Sequence, residues 1–223
     1  MFNKDCREYL ARLISFGNPR AAEEDADALT KKFDDLNYLL HVDEFALARA
    51  GEVDKNTSSY IRLVSALCSR RITDKFKNGK KYSQNEIKEY IIGLFFGLTV
   101  ETVYIILFDE NGKLISAEHL GDGTVNASGF LPRKLLEVVL RKGAKSVIIA
   151  HNHPCGRTVP SRNDIIATTI AENVLADANV EFLHHYIVAG FDIDDCLNDT
   201  FETIAGEDDY LNVSVNRGKK RKS

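Results

Sequence analysis

The sequence of 223 residues lacks several features that mark large classes of proteins. It contains no apolar run of the roughly 18 residues that span a bilayer, so we expect no transmembrane helix. Its first residues are charged and lack the apolar core of a signal peptide, which favours a cytoplasmic protein. The few cysteines are scattered and form no C-x-x-C pair, so we expect free thiols. Internal repeats are also absent.

Charge is distributed unevenly along the chain. Residues 1–81 contain 15 Lys and Arg against 13 Asp and Glu, whereas residues 82–216 contain 9 against 20. Because an acidic surface repels phosphate, the second segment is poorly suited to a broad nucleic-acid interface. Residues 70–81 are basic and turn-rich, and this stretch is either a solvated linker or a phosphate-contacting arm.

The first half of the chain shows helical periodicity. Apolar residues recur at helical spacing, and polar or Gly-Asn-Pro breaks separate the segments. The predicted helices cover residues 9–16, 21–33, 36–40, 44–50 and 58–70. They predict a small all-α domain over residues 1–72, followed by a basic linker over residues 73–81.

After the linker the periodicity changes. Ser83 and Glu86 form a capping-box pattern that opens a helix reaching about residue 94. The segments that follow are strands at 100–108, 113–120, 145–150 and 181–188, helices at 132–142 and 164–175, and a loop at 121–124. This order predicts a layered α/β domain over residues 82–205. Residues 206–223 are polar, end in a basic cluster and are expected to be disordered.

Two histidines stand one residue apart at the end of the predicted strand 145–150. Because side chains alternate along a strand, His151 and His153 should point the same way. Together with the Asp164 carboxylate they suit zinc, and three protein ligands leave a fourth position for water. The competing interpretation is a helix start, in which Ser161 is the cap and Asp164 bonds back to the backbone. The conjunction at one strand–loop–helix junction favours the metal site.

A hydrolytic metal site also needs a carboxylate that takes a proton from water without being a ligand. Glu101 is the notable candidate, because it is a charged residue at the start of an otherwise apolar strand. The competing interpretation of Glu101 is an exposed edge position. Glu172 and Glu181 are further carboxylates downstream of the histidines.

The residues around this site carry a family resemblance. The pattern His151-x-His153, seven residues, then Ser161-x-x-Asp164 resembles the JAMM (MPN+) metalloprotease motif. The fuller pattern His-Asn-His-Pro-x-Gly with Pro-Ser-x-x-Asp resembles the RadC family, the bacterial branch of that fold. The strand beginning at Glu101 is similar to the first strand of the family's domain, and residues 185–188 are similar to its late Asp-His-x-Ile-Val segment.

The resemblance covers most of the chain and implies a fold. The helical first half is similar to the family's N-terminal region, which is likened to a helix-hairpin-helix. The implied architecture is a small, degenerate helix-hairpin-helix-like domain followed by an MPN/JAB-type, cytidine-deaminase-like α/β domain with a mixed sheet.

The resemblance also implies a reaction and the residues that perform it. Zn²⁺ would be held by His151, His153 and Asp164. Glu101 would be the general base, and Ser161 would hydrogen-bond the tetrahedral oxyanion. The implied reaction is hydrolysis of an amide or isopeptide bond in a peptide or protein. The sequence leaves the physiological substrate and the oligomeric state open.

Three departures from the family pattern bear on these implications. Cys155 stands where the family usually has serine, and a thiol beside a metal site can ligate the metal or be oxidised. His184 stands where the family usually has aspartate, which predicts the loss of a contact that orients the site. Residues 50–54 put acidic side chains where helix-hairpin-helix modules offer a Gly-x-Gly hairpin to DNA phosphate.

Two other functions remain open at this point. The first is a DNA-associated repair or recombination accessory protein, whose zinc domain is structural or a platform for protein interaction. The family's DNA-repair label, the helical half and the basic stretches favour it, and its DNA affinity would fall steeply with salt. The second is a zinc nuclease or deaminase-like enzyme, although the sequence lacks the Pro-Cys-x-x-Cys of zinc deaminases.

Overall fold

The computed structural model describes residues 4–33, 36–42, 47, 53–123, 130–154 and 156–197. Within them the first half contains the helices α1 (Lys4–Ser15), α2 (Ala22–Lys32), α3 (Leu36–His41) and α4 (Lys55–Thr73). Four predicted helices are thereby confirmed, while the one predicted at 44–50 lies outside the described residues apart from Leu47. None of the helices in these ranges has the length and apolar character that a membrane crossing requires.

The second half is a mixed α/β structure, as predicted. Its elements are α5 (Gln84–Phe95), β1 (Thr102–Phe108), β2 (Leu114–Asp122), α6 (Phe130–Lys142), β3 (Ser146–Asn152), α7 (Arg162–Asp177), β4 (Glu181–Ala189) and β5 (Asp192–Asp195). The strands form one sheet in the order β2-β1-β3-β4-β5. The β3–β4 pair is parallel, and every other neighbouring pair is antiparallel. Helix α7 makes the crossover that a parallel pair requires.

Alternating strand residues build an apolar layer on each face of the sheet. One layer joins the sheet to α6 and α7 and includes Ile105, Leu107, Leu135, Val147, Ile149 and Leu175. The other joins it to α5 and includes Ile91, Ile106, Phe108, Ile148, Ala150 and Tyr186. His151 continues the series of Val147 and Ile149, so it faces α7.

The helical half has a separate hydrophobic core, which α4 connects to the rest of the chain. Ile14, Leu29, Leu39, Leu47 and Ile61 are fully buried members of it. The Arg62 guanidinium donates to the carbonyl of Leu40 at 3.1 Å and to the carbonyl of Gly97. These bonds join the end of α3 to the segment that follows α5.

Some element boundaries differ from the predictions for local reasons. Helix α4 begins at Lys55 because the Asp54 side chain accepts a hydrogen bond from the Thr57 N–H at 2.8 Å. Strand β2 continues through Gly121 and Asp122, predicted as loop, because they pair with Val103 and Thr102.

Strand β5 was not predicted. Aspartate is depleted in strands, so the sequence Asp-Ile-Asp-Asp gives no strand signal. The segment becomes a strand because it pairs with β4 at an edge of the sheet, where its carboxylates stay partly solvated.

Candidate metal centre

Strand β3 supplies two histidines at its carboxyl end. His151 is completely buried, and His153 follows the last strand residue and is partly exposed. Their Nε2 atoms are 2.9 Å apart. The predicted common orientation of the two imidazoles is therefore present, and both present Nε2 to the same point.

The N-terminus of α7 supplies a buried carboxylate to that point. Ser161 caps the helix, and its hydroxyl accepts a hydrogen bond from the Asp164 N–H at 3.2 Å. In return Asp164 Oδ2 accepts from the Ser161 N–H at 2.7 Å. Asp164 Oδ1 lies 3.3 Å from His151 Nε2, and Oδ2 lies 3.4 Å from His153 Nε2. The helix cap and the histidine–carboxylate cluster therefore use the same residues.

The candidate ligand atoms of His151, His153 and Asp164 all lie within 4.8 Å of one another. Burial alone would raise the pKa of the Asp164 carboxyl, but its interactions with the imidazoles of His151 and His153 outweigh burial and hold the pKa far below its usual range. Conversely, the hydrogen bond to Asp164 raises the pKa of His153. Two imidazoles and a carboxylate at these separations can hold a metal ion.

The remaining nitrogen of each imidazole has its own partner. His153 Nδ1 lies 2.9 Å from the carbonyl oxygen of Arg157. His151 Nδ1 lies 2.9 Å from His185 Nε2, and His185 Nδ1 lies 2.6 Å from Thr168 Oγ1. Burial, followed by the proximity of His151, lowers the pKa of His185 to about 3, so His185 is neutral at physiological pH. Partners of this kind orient the imidazoles of metal sites.

Glu101 immediately precedes β1, across from this cluster. The ladder between β1 and β3 ends at the pair Val103–His151, and the antiparallel direction of the two strands carries Glu101 toward His153. Its carboxylate is partly buried, is not among the clustered ligand atoms, and contributes to raising the pKa of His153 after the larger effect of Asp164. Glu101 is thus near the triad without belonging to it.

Asn152 holds the backbone on both sides of Glu101. Its Oδ1 accepts from the Thr102 N–H at 2.8 Å, and its Nδ2 donates to the Val100 carbonyl at 3.1 Å. Asn152 is only 5% exposed and stands between the two histidines in sequence. One side chain therefore joins the strand that carries the imidazoles to the peptide groups that flank the carboxylate.

The other sequence candidates lie elsewhere. Glu172 is exposed on α7, and Glu181 is exposed at the start of β4, at the opposite end of the sheet from His153. Ser161 is exposed beside Asp164, where its hydroxyl caps the helix. Cys155 lies outside the described residues.

A cleft of about 200 Å³ opens beside His153. Its walls come from α3, α5, the segment after β3 and the β4–β5 turn. The apolar part includes Phe95, Leu98, Pro154 and Val188, and the polar part includes His41, Asn152 and Asp192. His153 is the member of the triad that lines this cleft.

Comparison with known proteins connects this geometry to a family. The family model described as a RadC-like JAB domain matches residues 82–194, which is just over half of the chain. The chain belongs to the RadC family. A UPF0758 protein of Finegoldia magna is 32% identical over 179 residues, covering 76% of this chain and 78% of the relative. A UPF0758 protein of Cupriavidus taiwanensis is 27% identical over 188 residues, covering 83% and 82%.

The RadC match includes Glu101, Ser161 and the three clustered ligand residues. JAB domains include hydrolases, whereas the name UPF0758 states no activity. The family and its fold are therefore shown, together with a cluster that can hold a metal.

The His184 departure from the RadC pattern does not touch the metal face. His184 lies on the α5 side of the sheet, where its Nδ1 is 2.6 Å from Asp195 Oδ2 and its ring stacks on Tyr186. Its other nitrogen is 3.3 Å from the amide nitrogen of Gln84. The predicted loss of an orienting contact stays a prediction, while the next residue, His185, is the one that faces His151.

The cations of the basic stretch at residues 70–81 are partly neutralised by carboxylates. Two cations of the basic stretch form ion pairs, Arg70 with Asp74 at 2.9 Å and Lys75 with Glu89. At the start of α4, Asp54 occupies the Thr57 N–H. Residues 48–52 and the basic tail lie outside the described residues.

Proposed function

We propose that this RadC-family chain is a zinc-dependent hydrolase that cleaves an amide bond of a peptide or protein, as a metallopeptidase or isopeptidase. One observation carries the proposal: His151, His153 and Asp164 converge, while a separate carboxylate, Glu101, stands across from His153. Catalytic zinc sites combine three protein ligands with an open position, and water activation there uses a carboxylate that is not a ligand.

The donor set fits zinc. Imidazole nitrogen and carboxylate oxygen are both zinc ligands, and the two Nε2 atoms converge because each Nδ1 is engaged by a neighbour. When bound, zinc supplies Lewis acidity that polarises a carbonyl and makes a coordinated water acidic near a pH of about 7.

Side chains of the protein carry out the proton transfers and bind the oxyanion. Glu101 accepts a proton from the attacking water and returns it to the leaving amine, as a general base and then a general acid. The Ser161 hydroxyl accepts from a peptide N–H and so keeps its own proton, which it donates to the oxyanion.

The test is elemental analysis of the purified chain with a peptide-library cleavage assay. Stoichiometric zinc and hydrolysis are expected for the unaltered chain. Glu101→Gln should keep the zinc and lower the rate by about 10²–10⁴, the usual contribution of a general base. Glu172→Gln is the matched control, because that carboxylate is exposed on α7. Purified chain without zinc would overturn the proposal.

The site of action is part of the proposal. We propose that the protein acts in the cytoplasm, where its cysteines remain thiols; Cys68 and Cys196 are free thiols among the described residues. Fractionation of cells that express the tagged chain tests this, and recovery from an exported fraction would contradict it.

A further inference from the structure

We propose that His185 and Thr168 are positioning residues that fix which nitrogen of His151 faces the metal site. They do so through a relay of hydrogen bonds that starts at His151 and ends on the main chain of Asp164. The inference rests on the proposed function only for the identity of the metal, because the relay itself is a property of the metal-free chain.

The relay is buried along its whole length. His151 is 0% exposed, and His185 and Thr168 are each 2% exposed. His151 Nδ1 is 2.9 Å from His185 Nε2, His185 Nδ1 is 2.6 Å from Thr168 Oγ1, and Thr168 Oγ1 is 2.6 Å from the carbonyl oxygen of Asp164. Water does not reach these groups, so each must find its partner within the protein.

The carbonyl oxygen of Asp164, at the end of the relay, determines which atom donates in each of the hydrogen bonds before it. A carbonyl oxygen only accepts, so at 2.6 Å the single hydroxyl proton of Thr168 points to Asp164 O. The hydroxyl oxygen of Thr168 can then only accept from His185. The ring proton of neutral His185 must therefore be on Nδ1, and its Nε2 carries a lone pair. His151 must therefore carry a proton on Nδ1, which in the neutral imidazole leaves the Nε2 lone pair facing the metal site.

Cys196 does not change this assignment. Its Sγ is 3.6 Å from Thr168 Oγ1, a much longer contact than the one to the carbonyl. A thiol can also donate, so Cys196 can bond to the threonine oxygen without taking the threonine proton.

The relay also ties two of the three ligands together. It begins on the ring of His151 and ends on the backbone of Asp164, whose carboxylate lies 3.3 Å from His151 Nε2. His153 differs, because the Arg157 carbonyl orients it directly and it is partly exposed. The relay therefore acts on the buried side of the triad.

A structural role and a positioning role predict different results for conservative variants. If His185 and Thr168 only fill the core, their replacement lowers stability but leaves the zinc affinity of the folded chain unchanged. If they position His151, Thr168→Val leaves His185 Nδ1–H without an acceptor and releases the tautomer of His151. Thr168→Ser restores the hydroxyl and should restore both properties.

The experiment measures the His151 tautomer and zinc affinity on the full chain. Long-range ¹H–¹⁵N spectra of the metal-free protein are recorded at about pH 8, where an ordinary imidazole is neutral. Zinc affinity is measured by competition with a chromophoric chelator. Unaltered chain should show His151 protonated on Nδ1. Thr168→Val should show mixed tautomers and bind zinc about 10–100-fold more weakly, the usual effect of losing an orienting partner.

Thr169→Val is the matched control, because the neighbouring hydroxyl bonds only to the Ile165 carbonyl of its own helix in the described contacts. It should behave as the unaltered chain does. A His151 that carries its proton on Nε2 and none on Nδ1 in the unaltered protein overturns the relay without any variant. A Thr168→Val protein with normal tautomer and normal zinc affinity overturns it as well. If the unaltered chain binds no zinc but Thr168→Val still changes the tautomer, the proposed function fails and the relay stands.

Discussion

The helical half and the sheet half differ in whether their buried polar side chains have hydrogen-bond partners. In the helical half, Asp25 Oδ2 and Thr57 Oγ1 are buried without a hydrogen-bond partner among the described residues. In the described part of the sheet half no buried side-chain oxygen or nitrogen is left in this state. An unsatisfied buried polar group costs about 1–3 kcal/mol. Several buried polar groups of the sheet half thus belong to the hydrogen-bond network of the candidate metal centre, whereas Asp25 and Thr57 in the helical half lower stability.

The largest effect is expected at Asp164, which belongs both to the capping box of α7 and to the candidate metal centre. Asp164→Ala removes a candidate metal ligand and one half of the α7 capping box, so we expect loss of zinc and of hydrolysis. Loss of the bond that Asp164 Oδ2 accepts from the Ser161 N–H should lower the free energy of unfolding of the metal-free chain by about 1.5–3 kcal/mol, the usual contribution of a hydrogen bond to a charged group. Elemental analysis and urea denaturation measure the two effects.

Glu86→Ala is the control for the Asp164 prediction. Glu86 has the same place in the capping box of α5 as Asp164 has in that of α7, far from the triad. It should lower stability without removing zinc. If Asp164→Ala kept its zinc, the triad would be contradicted.

The second largest effect is expected from the replacement of Asn152. Asn152→Ala leaves the Val100 carbonyl and the Thr102 N–H without their partner, so we expect the free energy of unfolding to fall by about 1–3 kcal/mol. Hydrolysis should fall with it, because Glu101 lies between those two peptide groups. Zinc content should stay normal, since Asn152 makes no contact with the triad in the described bonds. Equal loss of zinc and of activity would contradict this separation.

A smaller effect of opposite sign is expected in the helical half. Burial, together with the charges of Asp54 and Glu24, raises the pKa of Asp25. The folded state therefore binds this proton more tightly than the unfolded state, and the carboxylate destabilises the fold at any pH above its raised pKa. Asp25→Asn should raise the melting temperature at neutral pH.

The pH dependence tests the sign of the Asp25 prediction. The stabilisation by Asp25→Asn should shrink as the pH falls toward and below the ordinary aspartate value of about 3.9, where the unfolded state is protonated as well. Thermal unfolding at neutral and acidic pH measures it. A variant less stable than the parent at neutral pH would show that Asp25 has a charged or metal partner.

The smallest effect is expected for DNA. Because residues 82–216 contain 9 Lys and Arg against 20 Asp and Glu, and two cations of the basic stretch are paired with carboxylates, the full chain should bind DNA weakly. We expect gel shifts at low salt that disappear at physiological salt, since only phosphate contacts hold the DNA. Gel shifts over a salt series measure this. Tight binding at physiological salt would support the accessory-protein hypothesis.

Local patterns predicted most of the elements and the metal cluster. The capping residues Ser83 and Ser161 begin α5 and α7, as expected from side chains that act within three residues. His151 and His153 share a face because strand alternation is also local. The roles of Glu101 and Ser161 stay predictions, supported by position alone.

Contacts that depend on strand pairing could not be predicted in the same way. His185 meets His151 only because β3 and β4 pair in parallel with Ile149 opposite His185. Thr168 joins them from the crossover helix, and nothing in its neighbourhood in the sequence distinguishes it from Thr169. Strand β5 likewise exists only through pairing, since its aspartates give no local signal.

The two hydrogen bonds of Asn152, to Thr102 and to Val100, affect the stage of folding at which the proposed catalytic groups come together. Its bond to Thr102 closes a loop of 50 residues, whereas the three candidate ligands lie within one short stretch of chain. Short loops close at lower entropic cost and sooner than long ones. The three candidate ligands can therefore bind a metal ion before β1 pairs with β3. Glu101 comes near them only after that pairing has formed. In the proposed enzyme, a partly synthesised or partly folded chain would bind metal without cutting its neighbours.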